Sequence, residues 1–171
     1  YPGFFTTTAP GPAQSYGVYW PALVPADEVD HRVVLDDGRV VHIPPPPSGP
    51  AGPPIEPPVA PVAPEAGPDP GAPLGTRFGA RSGDKGGNAN VGVWATSDED
   101  YAWLAANLTP DAIRQVIPEA ADLEVRRYDL PNLRALNFVL VGYLGEGVAS
   151  STAFDAQAKG LGEYLRSRVI T

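Results

Sequence analysis

Cysteine is absent from this chain of 171 residues, and that absence removes disulfides, thiolate nucleophiles and cysteine-based zinc sites together. Histidine is scarce. His31 and His42 are the two present, and neither has a His or acidic partner at ligand spacing, so no metal centre is expected. No histidine follows His42, so no Ser-His-Asp set can form within residues 74–171. No stretch approaches the ~20 apolar residues that a membrane helix needs, and no signal-peptide pattern opens the chain. The expectation is a soluble cytoplasmic protein. Methionine is missing too, and the chain begins Tyr1-Pro2-Gly3-Phe4, so it is expected to be a fragment of a longer protein. Cations are few, with 12 Lys and Arg against 20 Asp and Glu. A net charge of −8 argues against sequence-independent nucleic-acid binding, which works by neutralising phosphates. It leaves room for a small anionic ligand, which needs only a local cluster of cations.

What is abundant is proline and glycine, 22 and 19 residues respectively, and the excess has a location. Residues 44–73 hold 14 prolines in 30 positions. Proline fixes φ and removes the amide donor, so this stretch can enter neither a helix nor a sheet interior. It reads as a flexible, semi-extended linker of ~3.1 Å per residue where extended, or as a ligand for a proline-recognition domain. The acid excess is also placed. Residues 1–73 carry two basic residues against eight acidic ones, and residues 74–171 carry ten against twelve.

Residues 1–43 are rich in aromatics, with Tyr1, Phe4, Phe5, Tyr16, Tyr19 and Trp20 close together. The segments 31–35 and 39–43 are β-branched and flank Asp36-Asp37-Gly38, a hairpin signal. A piece of this size rarely folds alone. It reads as the tail of a preceding N-terminal domain, which would also be its partner.

Residues 74–171 read as one domain. Leu74–Ala80 and Asn90–Ala95 suggest strands. Ser97 is a helix N-cap, and Asp98, Glu99 and Asp100 suit the positive end of the helix dipole. Tyr101, Leu104, Ala105 and Leu108 recur at helical spacing. Thr109-Pro110 opens a second helix with Ile113, Val116 and Ile117 on its apolar face, and Pro118 stops it. Leu123–Tyr128 and Leu133–Leu144 suggest two more strands. Phe154, Ala158, Leu161, Leu165 and Val169 predict an amphipathic closing helix, with Ser150-Ser151-Thr152 at its cap. The order predicts an α+β fold, a four-stranded sheet with helices on one face.

The polar run 81–90, Arg-Ser-Gly-Asp-Lys-Gly-Gly-Asn-Ala-Asn, contains nothing large and apolar, and it reads as a loop between strands. Amides around glycines make anion-binding concavities, and Arg81 and Lys85 add charge-assisted donors. The alternative is a plain connection in which Asp84 and Lys85 face solvent while Asn88 and Asn90 bond locally. The run is neither a GxxxxGK[ST] phosphate loop nor a GxGxxG dinucleotide fingerprint, and no cofactor is expected. Asp155 and Lys159 stand four apart and suggest a surface ion pair; on the other reading, Gln157 and Lys159 reach the edge of the 81–90 loop. Asn137 lies within an apolar strand and needs a partner if buried. The candidate ligand-binding set is therefore Arg81, Ser82, Gly83, Asp84, Lys85, Asn88, Asn90, Asn137, Gln157 and Lys159. No catalytic constellation is evident.

Arg81–Gly86 followed by Asn88–Val93 resembles the signature of the C-terminal ferredoxin-like domain of the acyclic terpene utilisation (AtuA) family. Arg127–Pro131 leading into Leu133–Leu140 and the block Asp155–Gly162 resemble further parts of that domain. Tyr16–Pro21 and the hairpin after it are similar to the end of the family's large N-terminal domain. Ala158 departs from the pattern, standing where glycine is expected, and Ala153 lies near a position that is often arginine. The resemblance implies a ferredoxin-like fold and a bacterial parent protein of acyclic terpene or branched acyl-CoA catabolism. The implied roles are an accessory domain holding an acyl-CoA or another anion through 81–90, an assembly module pairing copies of the chain, or part of an active site completed by the N-terminal domain.

Overall fold

The computed structural model describes residues 9, 11–13, 15–18, 20–47, 49, 52 and 65–170. Tyr1, Phe4, Phe5, Tyr19 and half of the proline-rich stretch lie outside the described residues. Strands β1 (Arg32–Val34) and β2 (Val40–His42) form the expected hairpin, with Val33 opposite Val41. His42 Nδ1 meets Asp30 Oδ1 at 2.8 Å. Val33, Val34, Val40 and Val41 are all exposed, so the hairpin buries neither face.

The larger unit is an antiparallel sheet of β3 (Gly79–Lys85), β4 (Asn88–Trp94), β5 (Val125–Leu130) and β6 (Ala135–Leu140) in the order β3-β4-β6-β5. β4 and β5 both run antiparallel to β6, which lies between them. They are therefore parallel to each other, and the helices joining them complete a split β-α-β unit. This is the α+β arrangement that the pattern of elements predicts. Helices α1 (Asp98–Asn107), α2 (Pro110–Val116) and α3 (Leu161–Arg166) cover one face. Val91, Val93, Leu136, Phe138 and Leu140 point into that face and join Leu104, Leu108, Ile113, Ile117, Leu161 and Leu165 in one core.

Local chemistry explains the first two helices. Ser97 Oγ accepts from Asp100 N at 3.1 Å and Thr109 Oγ1 from Ala112 N at 3.1 Å, each satisfying an amide with no partner inside the helix. Arg127, on the covered face of β5, donates to the carbonyls of Ala105 and Leu108 at 2.8 and 3.3 Å. It thereby closes the C-terminal end of α1.

Four expectations need correction. Leu74–Thr76 is a 3-10 turn rather than a strand, and β3 starts at Gly79. The 81–90 run is not a loop: it forms most of β3 and the start of β4, joined by Gly86-Gly87 alone. A two-residue hairpin turn demands positive φ, and Gly86 adopts 65°. The last strand ends at Leu140, where Gly142 at φ 78° turns the chain away. The closing helix spans only Leu161–Arg166, and Phe154 is fully exposed. Helical continuity is broken at Ala158, whose φ of 51° is left-handed, so Ser150–Thr152 caps no helix.

Ahead of the sheet, Ala66 and Gly67 are buried. Gly67 N donates to Asp100 Oδ1 at 3.0 Å, and the Trp103 indole occupies the space where a side chain on Gly67 would go. Trp103 in turn stacks on Phe78 with centroids 5.4 Å apart. Asp100 is almost completely buried and takes Arg77 Nε on both oxygens at 2.9 Å. Burial pushes its carboxyl up, yet the Arg77 hydrogen bond, the Gly67 amide and the Arg77 charge outweigh that and hold it below the usual carboxylate range. A depressed folded-state pKa stabilises above the unfolded value of ~3.9 and is lost as pH falls through the folded value. Asp100→Asn should cost about 2 kcal/mol in urea unfolding at neutral pH. The gap from the parent chain should shrink as pH is lowered below 4, and an unchanged gap would refute this role.

Candidate functional site

Strand alternation divides the candidate residues between two faces. On β3, Ser82 and Asp84 share the helix side with Ala80, while Arg81, Gly83 and Lys85 lie on the open side. On β4, Ala89, Val91 and Val93 are buried in the core, which leaves Asn88, Asn90, Gly92 and Trp94 on the open side. β6 adds Ala135, Asn137 and Val139 there, and β5 adds Arg126, Tyr128 and Leu130. The register then sets these residues in transverse rows. Gly79, Trp94, Ala135 and Leu130 form the first, and Arg81, Gly92, Asn137 and Tyr128 the second. Gly83, Asn90, Val139 and Arg126 form the third.

The helix-side residues attach α3 to the sheet edge. Ser82 Oγ accepts from Gly162 N at 2.7 Å and donates to Lys159 O at 3.3 Å. A methyl group on Gly162 would stand 3.3 Å from the backbone of Arg81, so the helix rests on the strand at the closest practical distance. Ahead of α3, Asp155 accepts from the amides of Lys159 and Gly160 at 2.7 and 2.9 Å. That replaces the expected Asp155–Lys159 surface pair: the Asp155 carboxylate holds the turn, and the Lys159 ammonium goes elsewhere.

It goes around the edge of β3. Lys159 Nζ lies 3.6 Å from Asp84 Oδ1. It also lies 3.2 Å from where a methyl group on Gly83 would be, a point 3.9 Å from Asn90 Oδ1. The ammonium therefore stands above Gly83, between the neighbouring open-face side chains of Arg81 and Lys85, which are separated by ~13 Å along the strand. Lys85 Nζ donates to the Asp84 carbonyl at 2.9 Å. Among the described residues Arg81 makes no side-chain hydrogen bond or ion pair. Beside this row, Asn90 Nδ2 donates to Asn137 Oδ1 at 3.1 Å, the partner that an asparagine in an apolar strand requires.

Asn88 is otherwise engaged, its Oδ1 accepting from Gly142 N at 2.8 Å. Leu144 N donates to Gly87 O at 2.9 Å, so the hairpin tip is packed against the 141–147 turn. Gln157 is exposed and makes no side-chain hydrogen bond among the described residues. Two concavities adjoin the row. One of about 260 Å³ is lined by Ala80, Arg81, Ser82, Lys159, Gly162 and Glu163. The other, about 640 Å³, has Asp84, Lys85, Gly86, Glu146 and Val148 in its wall. Among the described residues no group of three or more His, Cys, Asp or Glu could hold a metal ion, and no helix is long and apolar enough to cross a membrane.

Sequence reasoning missed Gly92 and Trp94 as members of this surface. The signal was available: both lie at even spacing from Asn88 and Asn90 and so on the same side of β4.

A split β-α-β sheet with helices on one face and a polar open face defines the class of this domain. Residues 73–171 match the model of the AtuA ferredoxin-like domain, more than half of the chain, and the chain belongs to that family. Neither a curated protein nor a solved structure matches it.

Two substitutions probe the attachment of α3. Ser82→Ala removes both hydroxyl bonds and leaves the Gly162 amide without its partner; it should cost about 1–2 kcal/mol in denaturant unfolding. Ala158→Gly relieves a left-handed alanine but removes a buried methyl and loosens the unfolded chain. These effects oppose one another, so stability should change by less than about 1 kcal/mol, and a larger change would show that the turn is not governed by this balance.

Proposed function

We propose that this domain is a non-catalytic ligand-contact module of a bacterial, cytoplasmic protein in acyclic terpene or branched acyl-CoA catabolism. It holds an anionic group of its ligand, a CoA ester or another small anion, on the row Arg81, Lys159 and Lys85. The proline-rich stretch is the linker to the preceding domain. The observation that carries this reading is the position of the Lys159 ammonium above Gly83. Charges of one sign repel, so a chain of net charge −8 that lines up three cations on one strand edge, with Asp84 beside Lys159 and the nearby Glu163 paired with Arg166, has a local field suited to an anion. Gly83 leaves the space the ammonium needs, and Arg81 is the member whose donors are uncommitted to other described residues. Phosphate and carboxylate oxygens are the acceptors that such donors bind most strongly.

Asn90 and Asn137 extend the surface with amide groups, which suit the amides of a pantetheine arm. Ser82 and Asp84 act from below. Ser82 sets the path of the segment that carries Lys159, and Asp84 restrains its ammonium. Gln157 and Asn88 lie outside the contact surface on this reading.

The test is isothermal titration of the 171-residue chain with coenzyme A at low ionic strength. Arg81→Ala combined with Lys159→Ala should weaken binding at least about tenfold, since each charge-assisted contact is worth ~1.5–3 kcal/mol. The far-ultraviolet circular dichroism should be unchanged, and added salt should weaken binding by the parent chain. Equal affinity in parent and double variant would remove the cation row from the site. A change in oligomer mass on mutating the edge strand β5, with no ligand bound, would favour an assembly module instead.

A further inference from the structure

The open face continues beyond the cation row, and its chemistry changes across one step of the register. Trp94 lies in the row next to Arg81. Its indole covers Gly79, where any side chain would collide with the ring. One ring face is thus supported by backbone, while the residue remains 41% exposed. An aromatic ring laid over a glycine on an open sheet is a stacking platform. Beside it, Gly92 is the one residue of β4's open side without a side chain. A methyl there would meet nothing closer than Arg81 O at 3.7 Å. The floor at Gly92 is therefore a shallow dent, bordered by Trp94, Arg81, Asn90 and Asn137. Tyr128, 49% exposed, closes the same row on β5.

We infer that this dent and the Trp94 platform receive a planar heterocycle joined to a phosphate, so that the ligand of the open face is a nucleoside phosphate. The inference rests on the anion reading above and extends it. The base stacks on the outer face of the Trp94 indole. Asn137, which receives from Asn90 through its oxygen, keeps its amide hydrogens for the ring edge. Phosphates run along β3 from Arg81 toward Lys159, one register step away, ~7 Å along the strand. The same chemistry is carried by a free nucleotide and by the nucleotide end of a coenzyme A ester. Arg81 is the charged member of the Gly92 row, whose other members are Asn137 and Tyr128, which suits a neutral ring rather than a second anion.

The experiment titrates the 171-residue chain with ADP, inorganic pyrophosphate, adenosine and coenzyme A, followed by calorimetry. ADP should bind about tenfold or more tightly than pyrophosphate, the usual worth of one base stacked on an aromatic side chain. Trp94→Ala should bring ADP down to the pyrophosphate level without changing pyrophosphate affinity, and Trp94→Phe should restore part of the difference. Coenzyme A binding more tightly than ADP supports the inference with an ester as the source; ADP binding as tightly supports it with a free nucleotide. If pyrophosphate binds and ADP binds no better, or Trp94→Ala leaves ADP unaffected, the stacking inference is overturned while the anion site stands. If neither binds, both are overturned.

Discussion

The contact on which the surface depends is the one between α3 and the edge strand β3. Gly162 comes within 3.3 Å of the Arg81 backbone, measured from where its methyl would be, and its amide donates to Ser82 Oγ at 2.7 Å. Edge strands leave unpaired backbone groups and invite unwanted pairing. Here a helix and the turn before it pack along β3, and the turn delivers a lysine round the edge to the opposite face. Remove the close approach and Lys159 has no fixed path to Gly83.

This geometry reconciles the chain's net acidity with a local row of cations. Arg81 and Lys85 share a face because they are four apart on a strand, and Lys159 joins them from 74 residues downstream of Lys85. Most of the remaining cations of the domain are committed to scaffold duties. Arg77 bonds the buried Asp100, Arg127 the end of α1, and Arg166 the carbonyls of Phe78 and Gly75 at 3.1 Å each. Arg126 is paired with Glu124 at 2.7 Å. What distinguishes the β3 row is where its charges stand, on the open side of an edge strand.

Much of the scaffold was legible because its signals are local. Ser97 and Thr109-Pro110 marked two helix starts, since a cap answers to amides two or three residues away. The hairpin 31–43 was legible from its Asp-Gly turn. The closing helix was overextended because Phe154, Ala158, Leu161 and Leu165 fit a helical period that the backbone does not follow. Ala158 is left-handed there, and Asp155 holds the turn through the amides of Lys159 and Gly160. The glycine expected by resemblance at that position is the residue that adopts such a φ without strain. The 81–90 run read as a loop because it lacks large apolar side chains. It forms strands nonetheless, since β3 and β4 pair along their whole length and β4 gains a second partner in β6.

By itself the sequence determined the family, the α+β class and the residue types available for an anion, because these follow from motif, period and composition. Tertiary structure decided which of those residues meet. Sequence spacing could not tell that Ser82 and Asp84 turn inward while Arg81 and Gly83 turn outward, for that requires knowing the run is a strand. Nor could it place Lys159 above Gly83. That meeting comes from a helix docking on a distant strand, and the contact energies that hold it depend on distances no local pattern encodes.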